Sequence, residues 1–273
     1  MFLREWAVSD FYMSDFHMSS FDMIALLSGV ALFVGMMICL EIGRRIEAKR
    51  LATGRSDEGT GAVEAAMFGL LGLLLAFTFS GAAARFDDRR SLVVEEANDI
   101  GTAYLRVDLL PAEAQPAIRE KFKQYVDSRI ETYRKIPDME AVNAELVRSQ
   151  ELQKDIWAMS ADASQKSPNT MAGILLLPAL NAMIDITTTR TMASQIHPPL
   201  VIFVMLGVIV LASALIAGFS MAKGTTRSWL HIVLFAAIMT LTVYVIVDIE
   251  YPRLGLIRVD SFDQVMVDLR KSM

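Results

Sequence analysis

The chain has 273 residues, 53% of them hydrophobic, and a formal net charge of −5. Its mean hydropathy of +0.40 is high for a soluble domain and fits an integral membrane protein with a sizeable polar part. The acidic balance argues against nucleic acid as a partner, and the single cysteine, Cys39, excludes a disulfide framework or a cysteine-rich metal centre.

Residues 1–22 are rich in Phe, Tyr, Trp and Met and read as an N-terminal interfacial segment, where aromatic rings favour the membrane–water boundary. Four uncharged stretches then approach the roughly 20 residues needed to cross a bilayer: Met23–Leu40, Ala65–Ala84, Leu200–Ala222 and Leu230–Val247. Ile42 extends the first and Trp229 the last. The first is preceded by Asp10, Asp15 and Asp22 rather than by basic residues, so it is expected to be a retained helix and not a cleaved signal. The first pair of spans occupies residues 23–84 and contains a loop with the run TGRSDEGTGA. The second pair occupies 200–247 and is joined by a very short loop.

Between the pairs lies a helical polar domain, residues 85–199. Phe86, Val93, Ala97, Ile100, Tyr104 and Val107 recur at helical spacing, which predicts that the second span continues as one long helix to Pro111. Helices are expected over roughly 112–135 and 138–165 as well. The first turns Ile118, Phe122, Tyr125, Ile130 and Tyr133 inward. The second turns Val142, Leu146, Ile156 and Met159 inward. The segment Met171–Ile186 is apolar but short and is interrupted by Pro178, so a buried or interfacial helix is expected there rather than a fifth crossing. Residues 248–273 form a C-terminal tail. Pro252 and Gly255 are expected to fold it back onto the polar domain. The fold class is all-α: four transmembrane helices with a long helical extramembrane domain between the second and third spans.

The chain lacks a zinc-protease H-E-x-x-H, a G-x-S-x-G nucleophile turn and a P-loop, and its histidines, His17, His197 and His231, are scattered. An enzyme is not expected, and neither a metal nor a cofactor. No acidic or basic residue lies deep in any span, which disfavours a proton-coupled transporter but is compatible with a pore gated by apolar side chains. On the second span, Gly72, Ala76, Ser80 and Ala83, with Gly69, form a ridge of small residues suited to close helix packing. Gly69, Leu73 and Phe77 form an alternative face that suits a dewetting constriction. Glu95, Glu96 and Asp99 form an acidic cluster within reach of a hard cation. Salt bridges on a solvated helix explain it more simply.

Two stretches, LLLAFTFSGAAARFDDRRSLVVEEAN at 73–98 and DIEYPRLGLIRVD at 248–260, resemble the bacterial bestrophin-like membrane proteins. That family is distantly similar to the bestrophin ion channels. Those are pentamers with four spans per subunit, whose second span lines the pore, narrows at an apolar neck and runs into an arginine followed by aromatics. The resemblance sets Arg85-Phe86 on that step, with Phe77, Leu73 and Gly69 on the neck positions. Gly69 departs from the apolar pattern, and Asp87 stands where a second aromatic is expected. Animal bestrophins carry an acidic calcium site near the end of the fourth span. Asp248 and Glu250 lie there, but the match goes no further and calcium is not assigned.

The resemblance thus implies a homo-oligomer, a pentamer by analogy, in a bacterial inner membrane, with the lipid bilayer and inorganic ions as partners. Arg85, Arg89 and Arg90 would set the electrostatics of the pore mouth. Lysines and arginines flanking the spans tie at seven against seven, so orientation, with the polar domain and termini cytoplasmic, rests on the analogy alone. The alternative is a non-conducting sensory or scaffold protein built on an oligomeric, for instance dimeric, helical bundle.

Overall fold

A computed structural model describes residues 20–54, 61–222 and 229–273. The N-terminal aromatic segment and both short inter-span loops thus lie largely outside the described residues. What is described is helical, with no strand. In chain order the α-helices are α1 (Ser20–Ala52), α2 (Gly61–Arg106), α3 (Gln115–Arg134), α4 (Met139–Lys166), α5 (Met171–Gln195), α6 (Leu200–Met221), α7 (Trp229–Glu250) and α8 (Gln264–Ser272). Four segments are long and apolar enough to cross a membrane: Met23–Ala52, Gly61–Leu109, one within Met171–Met221, and Trp229–Glu250.

Two cores organise these helices. The first is built from α1, α6, α7 and the opening half of α2, and buries Met36, Leu40, Leu71, Val210, Ala214 and Ala236. Its tightest contact is between α1 and α6. A Cβ on Gly43 would collide with the Leu215 carbonyl, and one on Gly218 with the Leu40 carbonyl, so the two backbones touch because both positions lack a side chain.

The second core is built from the latter half of α2 with α3, α4, α5 and α8, and buries Ile100, Ile118, Phe122, Tyr125, Ile156 and Leu180. Of the apolar stripe read along 86–107, the part from Val93 to Tyr104 is the stripe of α2 that enters this core, Val107 follows in the next turn and Phe86 stays outside it; α2 is one helix through the charge boundary. Its 46 residues measure roughly 69 Å at 1.5 Å per residue, more than twice a hydrocarbon core of about 30 Å. If α2 crosses a bilayer, much of it must project beyond.

Helix α5 differs from expectation. It passes through Pro178 without a break and continues to Gln195. Pro178 and Ile174, the residue whose carbonyl loses its partner, are both on the exposed side of α5, where a freed carbonyl is tolerated. Arg106 donates to the adjacent Leu175 carbonyl at 2.6 Å. The tail folds back as expected. After Glu250 the chain turns, and Asp248 accepts the backbone N–H groups of Leu256 at 2.9 Å and Ile257 at 2.8 Å. A Cβ on Gly255 would collide with that carboxylate. Helix α8 then docks on α2 and α3, with Arg270 paired to Asp127 and Met266 buried.

Candidate functional site

Helix α2 has two faces with different surroundings. Residues advance about 100° around a helix, so four-residue steps drift by about 40°. One stripe follows Gly69, Leu73, Ala76, Phe77, Ser80 and Ala84, and continues through Asp87, Ser91, Val94, Asn98 and Leu105. Every one of these residues is exposed in the subunit. Phe77 is 67% exposed and Leu73 52%, although both are large and apolar. The stripe runs for about 54 Å.

Gly72 lies beside the stripe, and a Cβ on Gly69 or Gly72 would meet nothing. Among the described residues, the small-residue ridge of α2 is therefore left open from Gly69 to Ser80, while Ala83, at its edge, is half-buried. The packing that small residues serve is instead made by Gly43 and Gly218. The face proposed as a constriction and the face proposed as a packing ridge are largely one surface, exposed among the described residues.

The opposite side of α2 is anchored. Arg85 stands sixteen residues beyond Gly69, and the drift turns it to the far side of the helix. There its guanidinium meets Glu250, the last residue of α7, with Nη2 donating to Oε2 at 2.6 Å and Nε to both oxygens at 3.0 Å. Arg89, one turn on, donates to the same carboxylate at 3.3 Å and to the Glu250 carbonyl at 2.7 Å. It also donates to the carbonyls of Ala193 at 3.1 Å and Ile196 at 2.9 Å. One arginine thus caps the C-terminal ends of both α5 and α7, where unpaired carbonyls carry partial negative charge. Burial lowers the proton affinity of Arg89, and Glu250 only partly restores it. His197 completes the cluster, with Nδ1 at 3.2 Å from Glu250 and its ring stacked on Tyr251.

Arg85 and Arg89, expected at a pore mouth, therefore turn to Glu250 within the subunit. Arg90 pairs with Asp87 at 3.1 Å and lies over the rings of Phe86 and Phe262. The exposed acidic groups beyond Arg85 are Asp87, which is paired with Arg90, and Asp88 and Glu95.

The acidic cluster is also divided. Glu95 is exposed and Asp99 half-buried, while Glu96 is fully buried on the opposite side. Burial, then repulsion from Glu95 and Glu96, raises the Asp99 carboxyl above its ordinary value. Glu96 accepts from Arg129 at 2.5 Å and from Arg190 at 2.5 Å. Burial opposes its ionisation, but the two guanidiniums outweigh burial and hold the carboxyl down at about 2. Arg190 reaches on to Asp263 at 3.1 Å, and Asp263 is held bidentately by Arg253. The Tyr133 ring lies between Arg190 at 3.7 Å and Arg253 at 4.4 Å. Among the described residues no group of three His, Cys, Asp or Glu side chains is placed to hold a metal ion.

Neither Glu250 as the anchor nor Glu96 with Arg129 and Arg190 was singled out from sequence. A signal for Glu96 existed: it lies three residues after Val93 and four before Ile100, on the apolar stripe itself, where a charge must find a partner.

No curated protein matches the chain. Among solved structures, a bacterial bestrophin homolog from Klebsiella pneumoniae superposes with a TM-score of 0.65 at 12% sequence identity, covering 89% of this chain and 98% of that one. At that identity the likeness is one of fold. The bestrophin-like domain model matches residues 16–261, and with its four membrane-length apolar segments the chain is a multi-pass membrane protein belonging to the bestrophin-like family.

Proposed function

We propose that the protein is a homo-oligomeric, channel-like pore of the bacterial inner membrane, with α2 from each subunit surrounding the axis. One observation carries this reading: the exposed stripe of α2 runs unbroken from the apolar half of the helix into its polar half. Lipid alone would account for an exposed apolar half. It does not account for a stripe that continues in register through Asp87, Ser91 and Asn98. A shared axis gives both halves one role. Leu73 and Phe77 then form an apolar constriction beneath the open ring of Gly69, and the latter half of α2 with α3–α5 forms an extramembrane vestibule on the cytoplasmic side. By analogy with bestrophins the ring has five subunits. The pore works by excluding or admitting hydrated ions, and no catalytic group is required.

The test is ion flux through purified protein in liposomes. Phe77→Ala and Leu73→Ala each widen the constriction and are expected to raise flux several-fold over the parent. Absence of flux above empty liposomes in the parent and both variants, over a range of salts, rejects the proposal. The competing reading is a non-conducting bundle in which Gly69, Gly72, Ala76 and Ser80 pack against a second copy. The same exposed small residues favour it, since their open Cβ positions suit close helix approach. Particle imaging separates the two: a dimer without an axial cavity supports the bundle, and a ring with α2 innermost supports the pore.

A further inference from the structure

A cavity of about 360 Å³ lies where α2, α3, α4 and α5 meet the turn after α7. Its interior is apolar. Val93, Val142, Pro252 and Val259 are buried there, and Leu92 and Leu146 are half-buried beside them. At its mouth stand the exposed amides of Asn143 on α4 and Gln195 at the end of α5.

Most other polar groups on its walls are committed to the protein. The Thr132, Thr191 and Ser194 hydroxyls donate to the carbonyls of Ser128, Thr187 and Thr191, at 2.8, 2.8 and 2.6 Å. Every nitrogen of the Arg89 guanidinium donates, to the Glu250 carboxylate and to the carbonyls of Ala193, Ile196 and Glu250. Arg190 spends its Nη groups on Glu96 and Asp263, and Arg253 holds both oxygens of Asp263. The Tyr133 ring lies against both of these guanidiniums, at 3.7 and 4.4 Å. His197 turns Nδ1 to Glu250 and stacks its ring on Tyr251. A charged head group gains affinity from polar groups aimed at it, and these are aimed at the protein itself.

Water in such an interior finds few partners, and an empty interior forfeits the contacts of every apolar side chain around it. Apolar walls with a few polar groups that fix orientation are the make-up of a small-molecule site, and the volume is in the range of one. We propose that this cavity binds an uncharged, mainly apolar molecule carrying a hydroxyl or carbonyl group. Its body lies among Leu92, Val93, Val142 and Leu146. Its polar end meets the amides of Asn143 and Gln195, each of which can both donate and accept. The ligand comes from solution or, as an uncharged lipid, from the bilayer. Neither source depends on whether the protein conducts ions.

The experiment uses the full chain in phosphatidylcholine nanodiscs, titrated calorimetrically against protein-free nanodiscs. The probes share one body and differ in charge: 4-phenylbutanol, 4-phenylbutyrate and 4-phenylbutylamine. Protein purified directly from its membranes is examined by native mass spectrometry for a retained uncharged lipid. A ligand from solution gives saturable binding of the alcohol, roughly tenfold tighter than the acid or the amine, whose charges lose hydration without gaining a partner. A ligand from the bilayer gives a retained uncharged lipid on each subunit. Leu146→Trp fills the apolar interior and abolishes either form of binding. Asn143→Ala combined with Gln195→Ala removes both amides at exposed helical positions, where alanine suits the helix. It weakens retention of the alcohol or the lipid by about three- to tenfold, the worth of a neutral hydrogen bond. The proposal is overturned if neither the alcohol nor an uncharged lipid is held, if the acid or the amine binds as tightly as the alcohol, or if both variants bind like the parent.

Discussion

Replacing Glu96 by glutamine tests the buried network most directly. The carboxylate is fully buried, as is Arg129, and Arg190 is 5% exposed. Two lines of reasoning give the magnitude. The carboxyl is depressed from 4.5 to about 2; at 1.36 kcal/mol per unit this is on the order of 3 kcal/mol of stability. Independently, removing one member of a buried ion pair costs about 3–5 kcal/mol, because the partner is left charged in a dry site. For a chain of this size a loss near 3 kcal/mol lowers Tm by roughly 6–12 °C.

Because the folded carboxyl titrates below its unfolded counterpart, its contribution is complete above the ordinary carboxylate range. It is lost as pH falls from that range toward 2. Thermal melting of detergent-solubilised protein, followed by tryptophan fluorescence with Trp157 of α4 as the reporter packed on the core, should show this loss in the parent. Glu96→Gln should be low at every pH, with a flatter profile through the acid window. Adding Arg129→Met to Glu96→Gln should recover part of the loss, since the orphaned charge is removed as well. Exposed Glu95→Gln serves as the control. A Glu96→Gln melt within 2 °C of that control, a small fraction of the expected shift, would refute the reasoning.

Gly218→Leu drives a side chain into the Leu40 carbonyl; it should cost at least about 1–3 kcal/mol and separate α1 from α6, read as loss of a disulfide engineered between those helices. Glu250→Gln leaves Arg85 and Arg89 without their shared carboxylate. It should destabilise by about 3 kcal/mol, whereas exposed Asp87→Asn should change melting by less than about 0.5 kcal/mol. If α2 lines a pore, the exposed Asp87, Asp88 and Glu95 make its mouth negative. Reversal potentials should then favour cations, and neutralising the three together should reduce that preference measurably at low salt and little at high salt.

Much of the fold was legible because it depends on periodicity. The stripe from Phe86 to Val107 predicted that α2 continues through the charge boundary, and Val142 and Ile156 identified the inward face of α4. Pro178 misled because a proline weakens a helix only by the bond it removes, and here that bond lies on an exposed side. The small-residue ridge on α2 was visible, but spacing cannot say which partner a ridge meets. Gly218 is an isolated glycine in an apolar run and Gly43 lies among charged residues just past one, and only the crossing of α1 and α6 shows their purpose. Arg129 and Arg190 were illegible for a similar reason. Each lies on a different helix, and their common partner Glu96 is far from both in sequence.

The arginines after the second span show why a linear motif can assign the right residues to the wrong side. Read in sequence, Arg85, Arg89 and Arg90 follow the apolar neck and look like its continuation. On the helix, the four-residue steps that join Gly69, Leu73 and Phe77 have turned nearly half a revolution by Arg85. The free face at that height passes instead to Ala84 and Asp87. Arg85 and Arg89 are consequently the residues that hold α2 in place. They tie it to the end of α7 through Glu250, and Arg89 also caps α5. With one side of α2 clamped at the charge switch, the opposite side is presented at a set rotation. In the proposed ring, that rotation determines which residues face the axis. The charge switch at Arg85 therefore does more than end an apolar run: it sets the orientation of the face that Leu73 and Phe77 share.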